Sequence, residues 1–192
     1  MLVAGEAIVY PTETFYGLGV DALSPVALEH LFAIKRREPD KPVALIAANA
    51  AMAFALAREV SERARRLAKA FWPGPLTLVL PAREGIPAAL SGPDGGVGVR
   101  VSSHPIALAL AAGLGRPISA TSANLTGQPP AADLETARRT LNDKVKVFVD
   151  GGRLSGGAPS TVVAVNQDGI RIIRSGAISE RELAACLDSE EG

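Results

Sequence analysis

The chain has 192 residues, 47% of them hydrophobic, and its 20 acidic and 20 basic side chains balance to a formal net charge of zero. This length and composition exclude a disordered chain, and the charge balance excludes binding of nucleic acid through overall basicity. The single cysteine, Cys186, excludes an internal disulfide, and the apolar run at 47–57 is too short to span a bilayer. With no leader pattern visible, we expect one cytoplasmic domain over residues 1–192 that makes no membrane contact.

The first elements of the chain are a strand and a helix. Residues 6–10 form an apolar strand, and the hydroxyl- and glycine-rich residues 11–19 are interpreted as a strand-to-helix turn, a common position for ligand chemistry. Ser24 is a favourable N-cap with Pro25 at the first helical position, so a helix is predicted to run to about Lys35.

Later elements follow the same signals. Further strands are predicted over 42–47, 76–80, 97–101, 117–121, 146–149, 160–165 and 170–173. Further helices are predicted after the capping residues Asn49, Ser61, His104, Asp133 and Ser179. Strands and helices alternate through the first two thirds, which predicts an α/β fold with a mixed, mostly parallel sheet, helices on its faces and a final hairpin.

The segment Gly17-Leu18-Gly19-Val20-Asp21-Ala22 loosely matches a dinucleotide-binding fingerprint, with acidic Asp40 about 20 residues further on. We interpret it instead as a tight turn that needs glycine. Asp40 lies in a charged, proline-containing loop, and residues 11–14 separate the strand from the glycines. The glycine-rich run at 151–157 lacks the Lys-Ser/Thr ending of a phosphate-binding P-loop.

Basic residues near strand ends indicate a small anionic ligand. Lys35, Arg37 and Lys41 lie together in one predicted loop, Arg100 ends an apolar strand and Arg174 follows another. For each residue alone, a solvated surface charge is the simpler interpretation. Together they lie beside loops rich in Ser, Thr, Asn and Gly, and this combination suits a ligand with phosphate and carboxylate groups.

The two histidines are interpreted as structural. His30 lies on a helix among apolar residues, and His104 precedes a proline at a helix start. Without a nucleophile elbow or a usable cysteine and histidine pair, covalent catalysis is disfavoured.

Ten short motifs follow one another over nearly the whole chain. They are Pro11-Thr12-Glu13-Thr14, Tyr16-Gly17-Leu18-Gly19, Lys35-Arg36-Arg37, Trp72-Pro73-Gly74-Pro75-Leu76-Thr77, Val99-Arg100-Val101, His104-Pro105, Ser122-Ala123-Asn124-Leu125-Thr126-Gly127, Asp150-Gly151-Gly152, Ser160-Thr161-Val162 and Arg174-Ser175-Gly176. In this order they resemble the YrdC-like threonylcarbamoyl-adenylate synthase family in its short, single-domain form. Each motif alone is weak evidence, whereas the ordered set is specific.

The resemblance implies a twisted mixed parallel/antiparallel sheet with flanking helices and a positively charged concave cavity. It implies that L-threonine, bicarbonate and ATP react to threonylcarbamoyl-adenylate and pyrophosphate. Mg²⁺ would accompany ATP and be bound by phosphate oxygens and water, with no protein metal site. The product would pass to a partner transferase complex that modifies the adenosine next to the anticodon of tRNA.

The resemblance also implies a role for each matching site residue. ATP would be bound by Lys35, Arg37, Lys41, Ser122, Asn124 and Arg174. Of these, Lys35, Arg37, Ser122 and Asn124 would be catalytic, since they would hold the triphosphate and the reacting carbamate. Arg100 would take the threonine carboxylate, and Thr14 and Ser160 would line the threonine side.

Two alternatives remain open at the level of sequence. A YrdC-like chain can serve as an RNA-binding or ribosome-assembly module with weak affinity for tRNA, although zero net charge argues against strong binding. A YrdC-like domain can also transfer a carbamoyl group from carbamoyl phosphate inside larger enzymes, which need additional domains. The identity of the product, carbamoyl- or threonylcarbamoyl-adenylate, distinguishes the two enzymes.

Overall fold

The computed structural model describes residues 1–36, 42–92, 94–166 and 169–188. Its strands are β1 (Ile8–Tyr10), β2 (Gly17–Gly19), β3 (Leu45–Ile46), β4 (Leu76–Pro81), β5 (Gly96–Arg100), β6 (Ile118–Ser119), β7 (Thr121–Ser122), β8 (Val147–Phe148), β9 (Thr161–Val165) and β10 (Ile170–Arg174). Its helices are α1 (Pro25–Lys35), α2 (Ala50–Phe54), α3 (Glu62–Phe71), α4 (Pro105–Leu114), α5 (Leu134–Leu141) and α6 (Glu180–Asp188). Within the described ranges, no helix is long and apolar enough to cross a membrane.

The strands form two mixed sheets instead of one mostly parallel sheet. The four-stranded sheet has the order β7-β2-β1-β8, and the six-stranded sheet has the order β10-β9-β4-β5-β3-β6. In the part of the chain that is described, β1–β8, β3–β5 and β4–β9 pair in parallel, and the other five pairs are antiparallel. The prediction of a mixed sheet is confirmed, and the prediction that it is mostly parallel is wrong. The links from β1 to β2 and from β9 to β10 are too short for the crossover that parallel neighbours need.

The predicted strand at 117–121 divides into β6 and β7, which belong to different sheets. β6 pairs with β3, whereas β7 pairs with β2. Between them, the N–H of Ala120 donates to the carbonyl oxygen of Ala44 at 2.7 Å, so the backbone stays hydrogen-bonded where it crosses. This crossing carries Ser122 to the gap between the two sheets.

Helices begin where the sequence predicts them, because capping is a local interaction. The side chains of Ser24, Asn49 and Ser61 each accept a hydrogen bond from the N–H three residues later. Ser179 and Glu182 form the predicted capping box: the N–H of Ser179 donates to the Glu182 carboxylate at 2.8 Å, and the N–H of Glu182 donates to Ser179 Oγ at 3.3 Å.

One apolar core joins both sheets and fixes their relative position. Val9 and Leu18 from the four-stranded sheet, Leu78 and Val99 from the six-stranded sheet and Leu31 of α1 are fully buried in it. A close-packed interior transmits strain and resists small shifts, so the strand ends that surround the gap between the sheets are held in place.

The glycines at 17 and 19 serve packing and are not part of a strand-to-helix turn. Both lie in β2, an antiparallel neighbour of β1, over the ring of the buried Tyr10. A Cβ at Gly19 would lie 2.7 Å from Tyr10 Cε1, and a Cβ at Gly17 would lie 3.0 Å from Tyr10 Cζ. The predicted strand-to-helix turn over residues 11–19 is therefore wrong at residues 17–19, which form β2. The interpretation against a dinucleotide fingerprint agrees with this geometry, because both glycines lie within a strand and neither begins a helix.

Replacing Gly19 with alanine is expected to destabilise the protein by about 1–3 kcal/mol, because the new methyl group must displace the Tyr10 ring. Gly113 inside α4 is the matched control: a Cβ there meets nothing within 4 Å, so Gly113→Ala is expected to stabilise by about 0.5–1 kcal/mol. Urea unfolding midpoints measure both changes. A Gly19→Ala midpoint equal to that of the wild type would contradict the packing role.

Candidate active site between the two sheets

A cavity of about 910 Å³ lies where ends of both sheets meet, and it has the size of a small-molecule site. Five of the predicted site residues line it, each supplied by a different element. Thr14 comes from the β1–β2 loop, Arg100 ends β5, Ser122 ends β7, Ser160 precedes β9 and Arg174 ends β10. The tertiary fold thus brings together side chains that are up to 160 positions apart in the chain (Thr14 to Arg174).

The floor of the cavity follows from the alternation of side chains along β5. Val97 and Val99 are buried in the core, whereas Gly96, Gly98 and Arg100 line the cavity. Glycines on the open face leave space above the sheet, and the arginine that follows them places a guanidinium at one end of that space. The pattern Gly-Val-Gly-Val-Arg therefore builds both the room and the charge of the site.

Arg100 is held by an acidic residue to which the sequence analysis assigned no role. Its Nη1 forms an ion pair with Glu13 Oε1, and the Ser102 hydroxyl donates to Glu13 Oε2. The side chains of Arg100 and Glu13 are only 8% and 13% exposed, so water screens the pair weakly. Glu13 lies in the recognised Pro-Thr-Glu-Thr motif, but its partners are 87 and 89 positions away in the sequence.

Arg174 places a guanidinium at the cavity near that of Arg100 and is hydrogen-bonded to Ser160. Its Nη2 donates to Ser160 O at 2.7 Å and to Ser160 Oγ at 2.9 Å. Ser160 Oγ also lies 3.0 Å from the hydroxyl of Thr77. Burial lowers the pKa of Arg174 below its ordinary value, and repulsion from Arg100 adds a smaller effect in the same direction. Two neighbouring guanidiniums at one cavity favour an anionic ligand.

Lys35 and Asn124 support the cavity from behind. Lys35 is the last residue of α1, where the predicted helix end falls, so it lies in the helix and not in the loop that follows. It is 3% exposed and does not line the cavity. Its Nζ donates to the carbonyl oxygens of Ser122 at 2.6 Å and Asn124 at 2.7 Å. Asn124 Oδ1 accepts from the Ser122 hydroxyl. The ammonium group thereby fixes the loop that presents Ser122.

Two of the predicted ATP-binding residues, Arg37 and Lys41, lie outside the described residues. Their place relative to the cavity therefore stays a prediction. α1 ends at Lys35, and Arg36 caps it with a left-handed backbone (φ 49°).

Tyr16 joins the first motif to the glycine-rich loop after β8, and the sequence analysis gave it no role. Its ring is fully buried, and its hydroxyl donates to Gly152 O at 2.7 Å and accepts from the N–H of Gly151 at 3.0 Å. Burial raises the pKa of Tyr16, so the phenol stays protonated and keeps its donor. In the β1–β2 loop, Thr12 Oγ1 lies 3.1 Å from Thr14 Oγ1, and this contact shapes the turn that presents Thr14.

His104 caps α4, as its interpretation as structural predicts. Its Nδ1 accepts from the N–H of Ile106 at 3.2 Å, and burial lowers its pKa below the ordinary value, against the opposing effect of Glu13. The unfolded chain therefore binds more protons as pH falls through the region of 6.5, and the stability of the folded state falls with it.

His104→Asn keeps a capping oxygen but does not titrate, so it is expected to flatten the loss of stability between about pH 7 and pH 5. Thermal unfolding across this pH range measures the slope. His30→Asn is the control, since His30 is exposed on α1. Equal slopes for His104→Asn and the wild type would contradict this assignment.

The described residues contain no group of three or more His, Cys, Asp or Glu side chains that could hold a metal ion. The cavity is lined by hydroxyl, amide and guanidinium groups and by one described carboxylate, Asp94, which pairs with Arg171. Such a set suits a cation that arrives coordinated by a phosphate ligand better than one held in a protein cage.

Comparison with known proteins shows the family. The model of the Sua5_yciO_yrdC family, described as "Telomere recombination", matches residues 1–176. The chain belongs to this family, and the YrdC-like resemblance and its mixed-sheet fold with flanking helices are confirmed.

Relatives match the chain over nearly its full length. A threonylcarbamoyl-AMP synthase from Pyrococcus abyssi is 38% identical over 93% of this chain, and a putative threonylcarbamoyl-AMP synthase from Mycobacterium tuberculosis H37Rv is 36% identical over 96%. The matched region is 53% of the first relative and 84% of the second, so the chain spans about half the length of the Pyrococcus protein.

Solved structures agree with the fold. P. abyssi Sua5 complexed with L-threonine has a TM-score of 0.93 at 36% identity, covering 97% of this chain and 55% of that one. E. coli YciO has a TM-score of 0.85 at 29% identity, covering 95% of this chain and 88% of that one.

Proposed function

We propose that this chain is an L-threonylcarbamoyl-adenylate synthase, a nucleotidyltransferase that forms threonylcarbamoyl-AMP and pyrophosphate from L-threonine, bicarbonate and ATP. The observation that carries the proposal is the cavity between the sheets, which Arg100, Arg174 and Ser122 line together. Ser122 begins the segment 122–124, which we call the Ser122 loop. The family to which the chain belongs and the names of its relatives support the same reaction.

Threonine is proposed to bind at the end of the cavity that contains Arg100. The guanidinium would take the α-carboxylate through paired hydrogen bonds, which a planar fork of donors favours. Thr14 and Ser160 line the same cavity, and their hydroxyls would face the amino acid side chain. A related protein, P. abyssi Sua5, has been crystallised with L-threonine.

ATP is proposed to bind along the Ser122 loop. The Ser122 hydroxyl would contact the phosphates, Arg174 would add a cation, and Lys35 and Asn124 would act by holding this loop in place. Arg37 and Lys41 would complete the phosphate contacts, as the family resemblance implies. Mg²⁺ bound with ATP would neutralise part of the phosphate charge, with phosphate oxygens and water as its ligands.

The proposed chemistry needs no protein nucleophile. The threonine amine attacks the carbonyl carbon of bicarbonate and water leaves, which gives a carbamate. A carbamate oxygen then attacks the α-phosphorus of ATP, and the bond to the departing pyrophosphate breaks. For such a transfer, positioning and charge neutralisation supply most of the catalysis, and these are what Arg100, Arg174 and the Ser122 loop can provide.

The product is a mixed anhydride of a carbamic acid and a phosphate, so it must be consumed by an acceptor. We propose that it feeds the downstream transferase complex that makes threonylcarbamoyladenosine beside the tRNA anticodon, in the cytoplasm. Any direct contact of this chain with tRNA stays a prediction.

Pyrophosphate release from ATP tests the function. With magnesium present, release from the wild type is expected only when both L-threonine and bicarbonate are supplied, and Ser122→Ala is expected to reduce it by about tenfold or more. Glu6→Gln, which removes an exposed ion pair with Lys146 far from the cavity, should leave it unchanged. A folded wild type without threonine-dependent release would overturn the proposed function.

A further inference from the structure

Glu13 stands in the middle of a loop that lines the cavity, yet it does not line the cavity itself. Thr12, Thr14 and Phe15 on either side of it face the cavity. The Glu13 carboxylate lies behind them, with one oxygen on Arg100 Nη1 and the other on the Ser102 hydroxyl. This carboxylate therefore reaches the cavity through Arg100 alone among the cavity-lining residues described.

Among the described residues, the guanidinium of Arg100 has a side-chain partner at Nη1. Nη1 is bound to Glu13, and across the described ranges this is the side-chain contact that the structure records for Arg100. Arg100 lines the cavity although it is 6% exposed. The remaining N–H groups are thus left for a ligand on the cavity side.

Ser102 makes the arrangement rigid. It is fully buried, its hydroxyl donates to Glu13, and its oxygen accepts from the N–H of His104 at 3.2 Å. The carboxylate is therefore connected to both the end of β5 and the start of α4, so its position does not depend on Arg100 alone.

We propose that Glu13 is a positioning residue that fixes the Arg100 guanidinium, so that its second edge faces the substrate carboxylate. The inference rests on the proposed function and deepens it. The charges are consistent with this role: Glu13 offsets one of the two neighbouring cations Arg100 and Arg174, and the group keeps a net charge of one for an incoming anion. Without Glu13, we expect Arg100 to lose this fixed orientation, because its recorded partner is gone while repulsion from Arg174 remains.

The inference predicts that substitution of Glu13 separates threonine binding from ATP binding. In Glu13→Ala, the affinity for L-threonine, measured by calorimetry without ATP, is expected to fall by about tenfold or more, as for the loss of one charge-assisted hydrogen bond. The KM for ATP in pyrophosphate release is expected to stay within about twofold, because Glu13 makes no recorded contact with Ser122 or Arg174.

Three further variants keep the test decisive if Glu13→Ala folds poorly. Glu13→Gln retains an acceptor for Arg100 and is expected to recover most of the threonine affinity. Ser102→Ala removes one anchor of the carboxylate and is expected to weaken threonine binding by a smaller factor. Glu6→Ala, which breaks an ion pair with Lys146 outside the cavity, serves as the control and should leave both affinities unchanged.

A double-mutant cycle shows whether Glu13 acts through Arg100. In an Arg100→Lys background, adding Glu13→Ala is expected to weaken threonine binding by much less than tenfold, because the fork to be positioned is absent. Full additivity would overturn the inference. So would unchanged threonine affinity in Glu13→Ala, or an equal loss for threonine and ATP. If the wild type itself binds no L-threonine, the proposed function fails instead.

Discussion

Arg100→Ala is expected to lower kcat/KM for L-threonine by roughly 100- to 10,000-fold and to leave the KM for ATP nearly unchanged. The proposed carboxylate contact consists of two charge-assisted hydrogen bonds, each contributing about 1.5–3 kcal/mol, and each 1.4 kcal/mol corresponds to about a factor of ten. The substitution also leaves Glu13, 13% exposed, as a carboxylate without its cation beside the site. That charge repels the carboxylate of the substrate.

The measurement is the initial rate of pyrophosphate release with threonine varied at saturating ATP, and then with ATP varied at saturating threonine. Arg100→Lys keeps the charge but loses the planar fork, so an intermediate loss is expected. Arg139→Ala, on the exposed side of α5, is the control for removal of an arginine. An equal rise of both KM values in Arg100→Ala would contradict a specific role in binding the threonine carboxylate.

Lys35→Met is expected to reduce both stability and turnover. Methionine nearly preserves the buried volume but leaves the carbonyl oxygens of Ser122 and Asn124 without their donor, which costs about 2–5 kcal/mol of unfolding free energy. With the loop displaced, threonine-dependent turnover should fall by about 100-fold, a loss that a misplacement of about 1 Å can cause.

Urea unfolding measures the loss of stability, and the pyrophosphate assay, run at a temperature where the variant is folded, measures the loss of turnover. Lys69→Met is the matched control, because Lys69 also lies in the last turn of a helix but is exposed, and its loss should change stability by less than about 0.5 kcal/mol. A Lys35→Met protein that is as stable as the wild type but inactive would show that Lys35 acts on the ligand directly.

The helix starts were predictable because their causes lie within four residues. Ser24 with Pro25 and Ser179 with Glu182 satisfy backbone donors of the helix that each begins, wherever that helix packs. Except for β2, strand positions were likewise predictable to within a few residues from apolar runs. The ordered motifs identified the family, and five of the seven predicted site residues that the structure describes line one cavity.

Strand pairing was not predictable in the same way. The sequence predicts β6 and β7 as one strand, because both segments are extended. In the structure they pair with strands of different sheets and are separated at Ala120. The glycines of β2 read as a turn because glycine favours turns, whereas their reason is the ring of Tyr10 against which they pack.

The sequence by itself determined the family, the mixed sheet with flanking helices, the capped helix starts and the cationic, hydroxyl-rich character of the site. These depend on residue types, on spacings along the chain and on interactions between near neighbours. Only the tertiary structure decided that Glu13 holds Arg100 and that Lys35 supports Ser122 from behind. These partners are 87 positions apart in each case, and their contact depends on how two sheets pack on one core. No local pattern encodes that distance.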